Sequence, residues 1–303
     1  MHNNKLKGNL YLLLTAILWG GGFIFQRWGG EHLSAFSFNA FRMIITSLTF
    51  LILYLITYKK NIEKETKELN KKTLIYALIT GTVLFIGYYC QQIGLEHITA
   101  AKSGFLTSTQ VVIIPILAIF LNKKAKIQVW ISALLALIGF YIMSMNEKFV
   151  PSLWDLITIL GALFFSIQVL MFDHVKESIN FYKYGMILAL TTSVLSFIFA
   201  CIFDTTSSTN ILSATIPALY LGIFSGALAY IFEVKGHKYN TNPTVAVLIM
   251  SLESVFALIF GFIFLKEVIS LKEGIGCIIV GLSVILSQLD FKEIKLFKNK
   301  ITD

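Results

Sequence analysis

The chain has 303 residues, of which 56% are Ala, Val, Ile, Leu, Met, Phe, Trp, Tyr or Cys and only 14% are charged. A soluble domain has about 25% charged residues, so the polar surface is too small to cover a soluble globule. A lipid bilayer is the expected outer solvent. Ten spanning helices of about 20 residues each would use about two thirds of the chain, which leaves no room for a folded soluble domain.

Ten mainly apolar runs follow one another along the chain. Each is long enough to cross the hydrocarbon core as a helix, because a helix rises about 1.5 Å per residue and the core is about 30 Å thick. The runs do not alternate with period two, which favours helices over barrel strands. The predicted spans are 9–27, 35–58, 73–95, 99–121, 127–145, 153–172, 184–203, 213–234, 243–265 and 272–289. The first lacks a small-x-small cleavage site, so we expect a permanent span rather than a signal peptide.

Lysine and arginine are distributed unequally between the two sides of the predicted bundle. With the N-terminus inside, 19 of the 25 basic residues fall in inner segments and five in outer ones, and Arg42 lies within a span. Basic loops stay in the cytoplasm, so we expect a multi-pass protein of the plasma (inner) membrane with both termini cytoplasmic. The net charge of +8 therefore indicates topology, and no nucleic-acid partner is expected.

Cysteine and histidine show no arrangement typical of a metal or catalytic site. Cys90, Cys201 and Cys277 fall inside spans, where small apolar packing is the expected role. The histidines are expected in tails, turns or helix ends: His2, His32, His97, His174 and His237. We therefore expect no metal, no cofactor and no catalytic residues.

The chain contains an internal repeat. Residues 94–144 and 236–286 share a layout of a Gly-led polar turn, a long helix, a short charged turn and a Gly-containing last helix. With a one-residue slip, Gln110 aligns with Glu253. Each half has five spans, and an odd number forces the second half to cross in the opposite sense. The expected fold is an all-α integral membrane protein of ten transmembrane helices, built as two inverted five-helix repeats.

The repeat sets the expected domain organisation. Residues 1–148 would form the first five-helix repeat, residues 149–290 the second, and residues 291–303 a cytoplasmic basic tail. Inverted repeats are common in secondary transporters, with a site near the midplane between the halves. A duplicated scaffold or channel is the alternative.

Over about residues 9–289 the chain resembles the drug/metabolite transporter superfamily, specifically its EamA-type ten-helix members. The residues that carry the resemblance are LLLTAILWGGGFIFQRWG at 12–29, FSFNAFR at 36–42, YYCQQIGLEHITAAKSGFLTS at 88–108, SLESVFALIFGFIFLKE at 251–267 and GIGCIIVGLSVIL at 274–286. The resemblance implies transport of small metabolites, amino acids or drugs, often outward. Many relatives carry proline where this chain has Ser254, so the family gives no ground for a proline kink in helix 9.

Glu253 and Gln110 form the central predicted constellation. Each lies about 15 Å from its own membrane boundary, ten residues beyond Pro243 and Ala100 respectively. Glu253 is the one acid expected deep in a span, and low dielectric disfavours its charged form. It is the candidate for proton coupling or for binding an amine. The alternative is a structural glutamate, protonated or hydrogen-bonded to neighbouring helices.

Two further charged residues are predicted closer to the boundaries. Arg42 lies about seven residues into helix 2, roughly 10 Å from the outer boundary. It could bind a substrate carboxylate, pair with an internal acid, snorkel outward or act as a structural anchor. Asn39 shares its helix face. Glu233 is expected at the inner end of helix 8, in contact with interfacial water.

Helices 1 and 4 contain candidate hinges. Gly20, Gly21 and Gly22 permit either close helix packing or a local break, and Trp19 offers a flat wall to a substrate. Pro115, the one proline expected deep in a span, would kink helix 4 as a gating hinge or as a static bend.

Neutral hydrogen-bonding side chains could line the pathway, with structural packing as the alternative for each. They are Gln26, Tyr88, Gln91, Gln92, Gln168 and Tyr230. Adjacent residues point about 100° apart on a helix, so only one of the two neighbouring glutamines is expected to face the path.

These observations together favour a secondary transporter that exports a small metabolite, amino acid or drug by alternating access, with proton coupling as an option. The expected partners are the lipid bilayer and a small-molecule substrate, and a homodimer is left open. A channel or membrane scaffold is the alternative. An intramembrane enzyme ranks last, because the spans have no HExxH pair and no aspartate pair, and the chain has no phosphate-binding loop.

Overall fold

The structure is a computed structural model that describes residues 2–60, 71–98, 100–122, 125–144, 152–175, 181–204, 211–239, 243–265 and 269–288. All regular elements in these ranges are helical. The predicted boundary between the repeats at 148–149 and the predicted basic tail at 291–303 lie outside the described residues.

The described part of the chain has thirteen α-helices and one π-helix. They form ten rods, where a rod is either a single helix or two or three consecutive helical segments joined end to end. The elements are α1 (His2–Gly30), α2 (Ala35–Lys60), α3 (Lys71–His97), α4 (Ala100–Thr107), α5 (Gln110–Phe120), α6 (Ile127–Ser144), α7 (Leu153–Val175), α8 (Phe181–Phe203), α9 (Ile211–Leu219), the π-helix (Tyr220–Leu228), α10 (Ala229–Tyr239), α11 (Pro243–Met250), α12 (Glu253–Leu265) and α13 (Leu271–Gln288). Rod 4 consists of α4 and α5, rod 8 of α9, the π-helix and α10, and rod 9 of α11 and α12. Each rod coincides with one predicted span, and the largest differences are seven residues at the start of rod 1 and five at the end of rod 8.

The rods have the length and composition of membrane-spanning helices. Among the described residues, eight helices are long and apolar enough to cross a membrane, and the apolar helix Ile127–Met143 is shorter. Large apolar side chains such as Phe197, Phe264 and Leu271 lie exposed on the outside of the bundle, where lipid would cover them. The protein is therefore a multi-pass membrane protein.

The two ends of the bundle need names that do not depend on its orientation in a membrane. The amino-terminal face is the end at which α1 begins, near His2, and it also holds Tyr239 at the end of α10. The far face is the end at which α1 finishes, at Gly30, and it also holds His97 and the start of α7.

The halves of the chain interlock through paired contacts. Helix α1 packs on α10, and α3 packs on α7. If rods 1–5 are exchanged with rods 6–10, the contact between rod 1 (α1) and rod 8 (α10) becomes the contact between rod 6 (α7) and rod 3 (α3). The contacts of α2 with α8 and of α6 with α13 map onto themselves under the same exchange. A pseudo-two-fold axis produces this pattern, and the odd number of rods in each half places the axis in the membrane plane. The predicted fold of two inverted five-helix repeats is therefore confirmed.

Rods 4 and 9 are interrupted at equivalent points. Helix α4 ends before the turn Ser108–Thr109, and α11 ends before the turn Ser251–Leu252. The two turns are 143 residues apart, which is the repeat offset after the one-residue slip. Across the crossing of the rods, the hydroxyls of Ser108 and Ser254 lie 2.8 Å apart. Rod 9 thus breaks without a proline at the turn.

The prolines do not lie at these interruptions. Helix α5 continues across the buried Pro115, so the break in rod 4 lies six residues before it, at Thr109. The expectation that Pro115 is the one proline deep in a span is wrong, because rod 8 begins at residue 211 and Pro217 is buried within α9. The π-helix follows directly, and such segments are frequent at functional sites.

The glycine run of helix 1 serves close packing in this conformation. Helix α1 is continuous through Gly20, Gly21 and Gly22. A Cβ atom added at Gly20 would lie 2.5 Å from Phe256 Cβ and 2.7 Å from the backbone oxygen of Glu253. Of the two predicted alternatives, the structure has the close packing and not the local break. A hinge at these glycines, like one at Pro115, stays a prediction.

Candidate functional site

A cavity lies at the level of the two interruptions and is lined by both halves of the chain. Its volume is about 80 Å³, and one water molecule needs about 10–15 Å³ of such space, so it suits a small metabolite better than a large drug. Nine of the eleven predicted pathway residues line it: Trp19, Gln26, Arg42, Tyr88, Gln91, Gln110, Gln168, Tyr230 and Glu253. Their role in transport stays a prediction.

Glu253 and Gln110 occupy equivalent positions in the two halves. Glu253 is the first residue of α12 and Gln110 is the first residue of α5, so each side chain begins the second segment of an interrupted rod. Glu253 is 7% exposed and lines the cavity. Its carboxylate forms no hydrogen bond with the described residues, which leaves it available to a ligand or a proton.

Arg42 is buried beside the same cavity. Its Nε donates a hydrogen bond to Asn39 Oδ1 at 2.8 Å, and its guanidinium carbon lies 4.1 Å from the centroid of the Tyr88 ring. It is 4% exposed, so it does not snorkel outward. Within the described part of the chain no acid pairs with it, and its Nη2 has no hydrogen-bond partner. Asn39 holds the Arg42 side chain through this hydrogen bond, but it does not itself line the cavity.

Three glutamines connect the cavity to the far face. Gln26 Nε2 donates to Gln91 Oε1 at 3.0 Å, and Gln91 Nε2 donates to Thr107 Oγ1 at 3.2 Å. Gln92 donates instead to the backbone oxygen of Gln26 and lines a separate space near the far face, beside Glu96. Of the two neighbouring glutamines, only Gln91 lines the central cavity.

Aromatic side chains form the apolar walls. The hydroxyls of Tyr88 and Tyr230 lie 3.2 Å apart and so join α3 to α10. The indole Nε1 of Trp19 donates to the backbone oxygen of Ser225 at 2.9 Å, and its ring meets the Tyr230 ring edge-on with centroids 6.1 Å apart. Each polar aromatic atom is thereby fixed, and the ring surfaces remain for a substrate.

Sequence reasoning missed a group of hydroxyl side chains in the lining. They are Thr107, Ser108, Ser225 and Ser251. Small hydroxyl residues within two positions of Gln110 and Glu253 were the available signal, but serine and threonine are equally common in helix packing.

The prediction for Glu233 is wrong. Glu233 is 1% exposed and does not reach interfacial water. His237 lies in the last turn of α10, as expected, and is buried beside Glu233. The reason for the burial of Glu233 is that rod 8 continues to Tyr239, five residues beyond the predicted end. Glu233 therefore lies about 9 Å inside the rod at 1.5 Å per residue. Glu253 is not the one acid buried deep in a span.

Metal ligation has no support in the described residues. No group of three or more His, Cys, Asp or Glu side chains in these ranges is placed to hold a metal ion. The cysteines are unpaired: Cys90 is buried, Cys277 is partly buried, and Cys201 lies exposed on α8.

Comparisons with known proteins all indicate a membrane transporter or the same fold. A family model described as "EamA-like transporter family" matches residues 6–145 and 152–289. An "Uncharacterized transporter" from Archaeoglobus fulgidus is 29% identical, over 94% of this chain and 87% of the relative. An "Uncharacterized transporter YetK" from Bacillus subtilis (strain 168) is 26% identical, over 84% of this chain and 79% of the relative. A solved structure described as "Crystal structure of protein" has a TM-score of 0.75 at 15% identity, over 93% of this chain and 98% of that one, and is similar in fold.

Proposed function

This chain belongs to the EamA-like transporter family, and on that premise we propose that it exports a small zwitterionic metabolite of the amino-acid class in exchange for protons. The family and the transporter relatives support a membrane transporter rather than an enzyme. One observation carries the finer proposal: a buried arginine and a buried glutamate, neither paired with a charge among the described residues, face one cavity built by both halves.

Arg42 supports a substrate with a carboxylate. A buried cation without a counter-ion is costly inside a membrane, and a planar guanidinium matches a carboxylate through two parallel hydrogen bonds. Its Nε is already occupied by Asn39, whereas Nη2 has no partner within the described residues. A substrate carboxylate would satisfy that donor and neutralise the charge.

Glu253 supports an amine on the same substrate and exchange with a proton. An ionised carboxylate in this cavity needs a positive partner, and either a proton or a substrate ammonium supplies one. The two cannot occupy the carboxylate together. Binding of the ammonium therefore releases the proton, and return of the proton releases the substrate.

The inverted repeat supports alternating access. Rods 4 and 9 are interrupted at equivalent positions beside the cavity, so each half supplies one segmented rod that can move toward its own face. The excess of lysine and arginine in the amino-terminal-face segments favours a cytoplasmic amino-terminal face. Export then runs from that face to the far face.

A thermal-shift assay on the purified protein tests the substrate class, since a ligand that binds the folded state stabilises it. Leucine carries both charged groups, isoamylamine lacks the carboxylate and 4-methylpentanoate lacks the amine. Leucine should shift the melting temperature most, because a charge-assisted hydrogen bond contributes about 1.5–3 kcal/mol. Each analogue should bind roughly ten- to hundredfold more weakly.

Two variants test which residue binds each charged group of the ligand. Arg42→Gln should abolish the shift by 4-methylpentanoate and spare that by isoamylamine, and Glu253→Gln should do the reverse. The zwitterion proposal would be contradicted if all three compounds shifted the melting temperature equally, or if neither substitution changed any of the shifts.

A further inference from the structure

Glu233 and His237 form a buried ionisable pair that the central site does not use. Both lie on α10, one helical turn apart, and His237 Nε2 is 3.9 Å from Glu233 Oε1. Neither carboxylate oxygen of Glu233 has a hydrogen-bond partner in the described ranges. Glu233 faces a second, smaller cavity on the amino-terminal side of the central one.

The small cavity beside Glu233 adjoins the central cavity. Gln168 and Tyr230 line both cavities. Tyr230, Glu233 and His237 follow one another at intervals of three and four residues, so they form a stripe along one face of α10. At 1.5 Å per residue these residues lie about 13, 9 and 3 Å from the end of the rod at Tyr239. The stripe leads from the central cavity toward the amino-terminal face.

The charge balance of the pair favours one bound proton. A buried carboxylate with no positive partner costs several kcal/mol, so Glu233 is stable here as a neutral acid beside neutral His237 or as a carboxylate beside imidazolium. The two forms differ only in the position of the proton, which leaves a Glu233 oxygen and binds His237 Nε2. Loss of that proton from both groups would leave one uncompensated negative charge.

Among the residues that the structure describes, no cation other than His237 lies within electrostatic range of Glu233. Besides His237, the described ionisable groups that interact electrostatically with Glu233 are Tyr88 on α3, Tyr184 on α8, Tyr230 on α10 and Glu253 on α12. Asp173 is a further buried acid, on α7. Lys235 and Lys238 lie on the exposed side of α10. Since Glu233 and Glu253 repel each other when both are ionised, a proton lost at one strengthens proton binding at the other.

We propose that the Glu233–His237 pair is a second proton-binding site, through which the proton exchanged at the central cavity passes to or from the amino-terminal face. The proposal rests on the proposed proton-coupled transport. When the substrate ammonium displaces the proton of Glu253, that proton moves to the pair, and the pair releases the proton it already held to the amino-terminal face. The pair thus returns to one bound proton, and Glu253 takes its next proton from the far face when the substrate leaves.

Infrared difference spectroscopy tests the site without any substrate. The reconstituted protein is titrated between acidic and alkaline pH, and the C=O stretching band of protonated carboxyls is recorded. Glu233→Gln should remove one titrating band, and His237→Gln should shift the midpoint of that band. Absence of any titrating band that Glu233→Gln removes overturns the proposal, whatever the transport assays give.

Transport by the same variants tests the coupling. In proteoliposomes, Glu233→Gln should reduce accumulation of a radiolabelled amino-acid mixture under a pH gradient by roughly tenfold or more. Exchange against unlabelled mixture without a gradient should remain, because Arg42 and Glu253 are intact. That exchange also shows that the variant is folded. Glu233→Asp, which keeps the carboxyl, should recover part of the accumulation.

Glu273→Gln is the matched control. Glu273 accepts a hydrogen bond from the backbone N–H of Ser270 at the start of α13, and glutamine fills that capping position equally well. The control should accumulate substrate as the native protein does. Gradient-driven accumulation by Glu233→Gln at the native level overturns the proposal. Loss of exchange in the native protein itself would instead contradict the proposed function and leave the spectroscopic result standing.

Discussion

At the scale of single residues, the protein keeps charges buried where neutral residues would cost less. Arg42 forms one side-chain hydrogen bond, to Asn39, and stacks on Tyr88, yet it has no counter-ion in the described ranges. Residues that reduce stability in this way are typical of functional sites. Arg42 is therefore the residue of the cavity lining that most strongly supports the proposed substrate site.

Arg42→Gln should raise the melting temperature of the ligand-free protein. The substitution removes a buried unpaired charge, and a neutral replacement of buried charges is often stabilising by about 1–4 kcal/mol. The glutamine amide can still donate to Asn39. Differential scanning fluorimetry in detergent measures the effect, with Arg27→Gln on the exposed end of α1 as the control that should change little. A melting temperature lowered as much as by an ordinary core substitution would assign Arg42 to the structural framework.

The sequence predicts the depth of a polar residue in the membrane when counting along its span is sufficient. Gln110, Glu253 and Arg42 lie far from the span ends by simple counting, and the structure brings all three to one cavity. Glu233 could not be found in this way, because Lys235 and Lys238 lower the average hydropathy and suggest that the span ends at residue 234. The helix in fact continues with its lysines outward and Glu233 inward.

At the scale of elements, close contacts of the backbone hold the site in place. Gly20 brings α1 against the start of α12, where Glu253 lies. A Cβ atom added at Gly20 would lie 2.7 Å from the backbone carbonyl oxygen of Glu253 and 3.0 Å from the backbone nitrogen of Ala257. Because these are backbone atoms, the two helices would have to separate.

Gly20→Ala should therefore destabilise the protein by about 1–3 kcal/mol, the usual range for overpacking, and should weaken ligand binding at Glu253. Gly281→Ala is the matched control, since no atom lies within 4 Å of its added Cβ and alanine favours the helix. Melting temperature and ligand-induced shift of both variants give the comparison. Equal behaviour of the two variants would show that the α1–α12 contact can relax.

Rods were predictable from the sequence, but their interruptions were not. A run of about 20 apolar residues is a strong signal because the bilayer thickness fixes its length. The turns Ser108–Thr109 and Ser251–Leu252 contain neither proline nor glycine, so no local signal marks them. Their hydroxyls can bond backbone oxygens within the helix, as Ser251 Oγ does with Leu248 O at 2.8 Å. Such bonds compete with the regular helix pattern.

At the scale of the whole molecule, the inverted repeat explains why one cavity has two kinds of charge. The pseudo-two-fold axis brings Gln110 and Glu253 to equivalent positions, but only the second half carries the acid there. The first half supplies Arg42 from α2. The repeat gives the scaffold its symmetry, and the differences between the halves give the cavity its uneven charge.

Counterflow in proteoliposomes tests the central claim, alternating access by a carrier, most directly. Vesicles loaded with an unlabelled amino-acid mixture are diluted into a trace of the radiolabelled mixture, with no pH gradient and with the membrane potential clamped. The account predicts a transient, saturable accumulation of label above its equilibrium level, because a carrier returns loaded from each side. A non-saturating flux that carries current and never exceeds equilibrium would contradict the account and identify a channel.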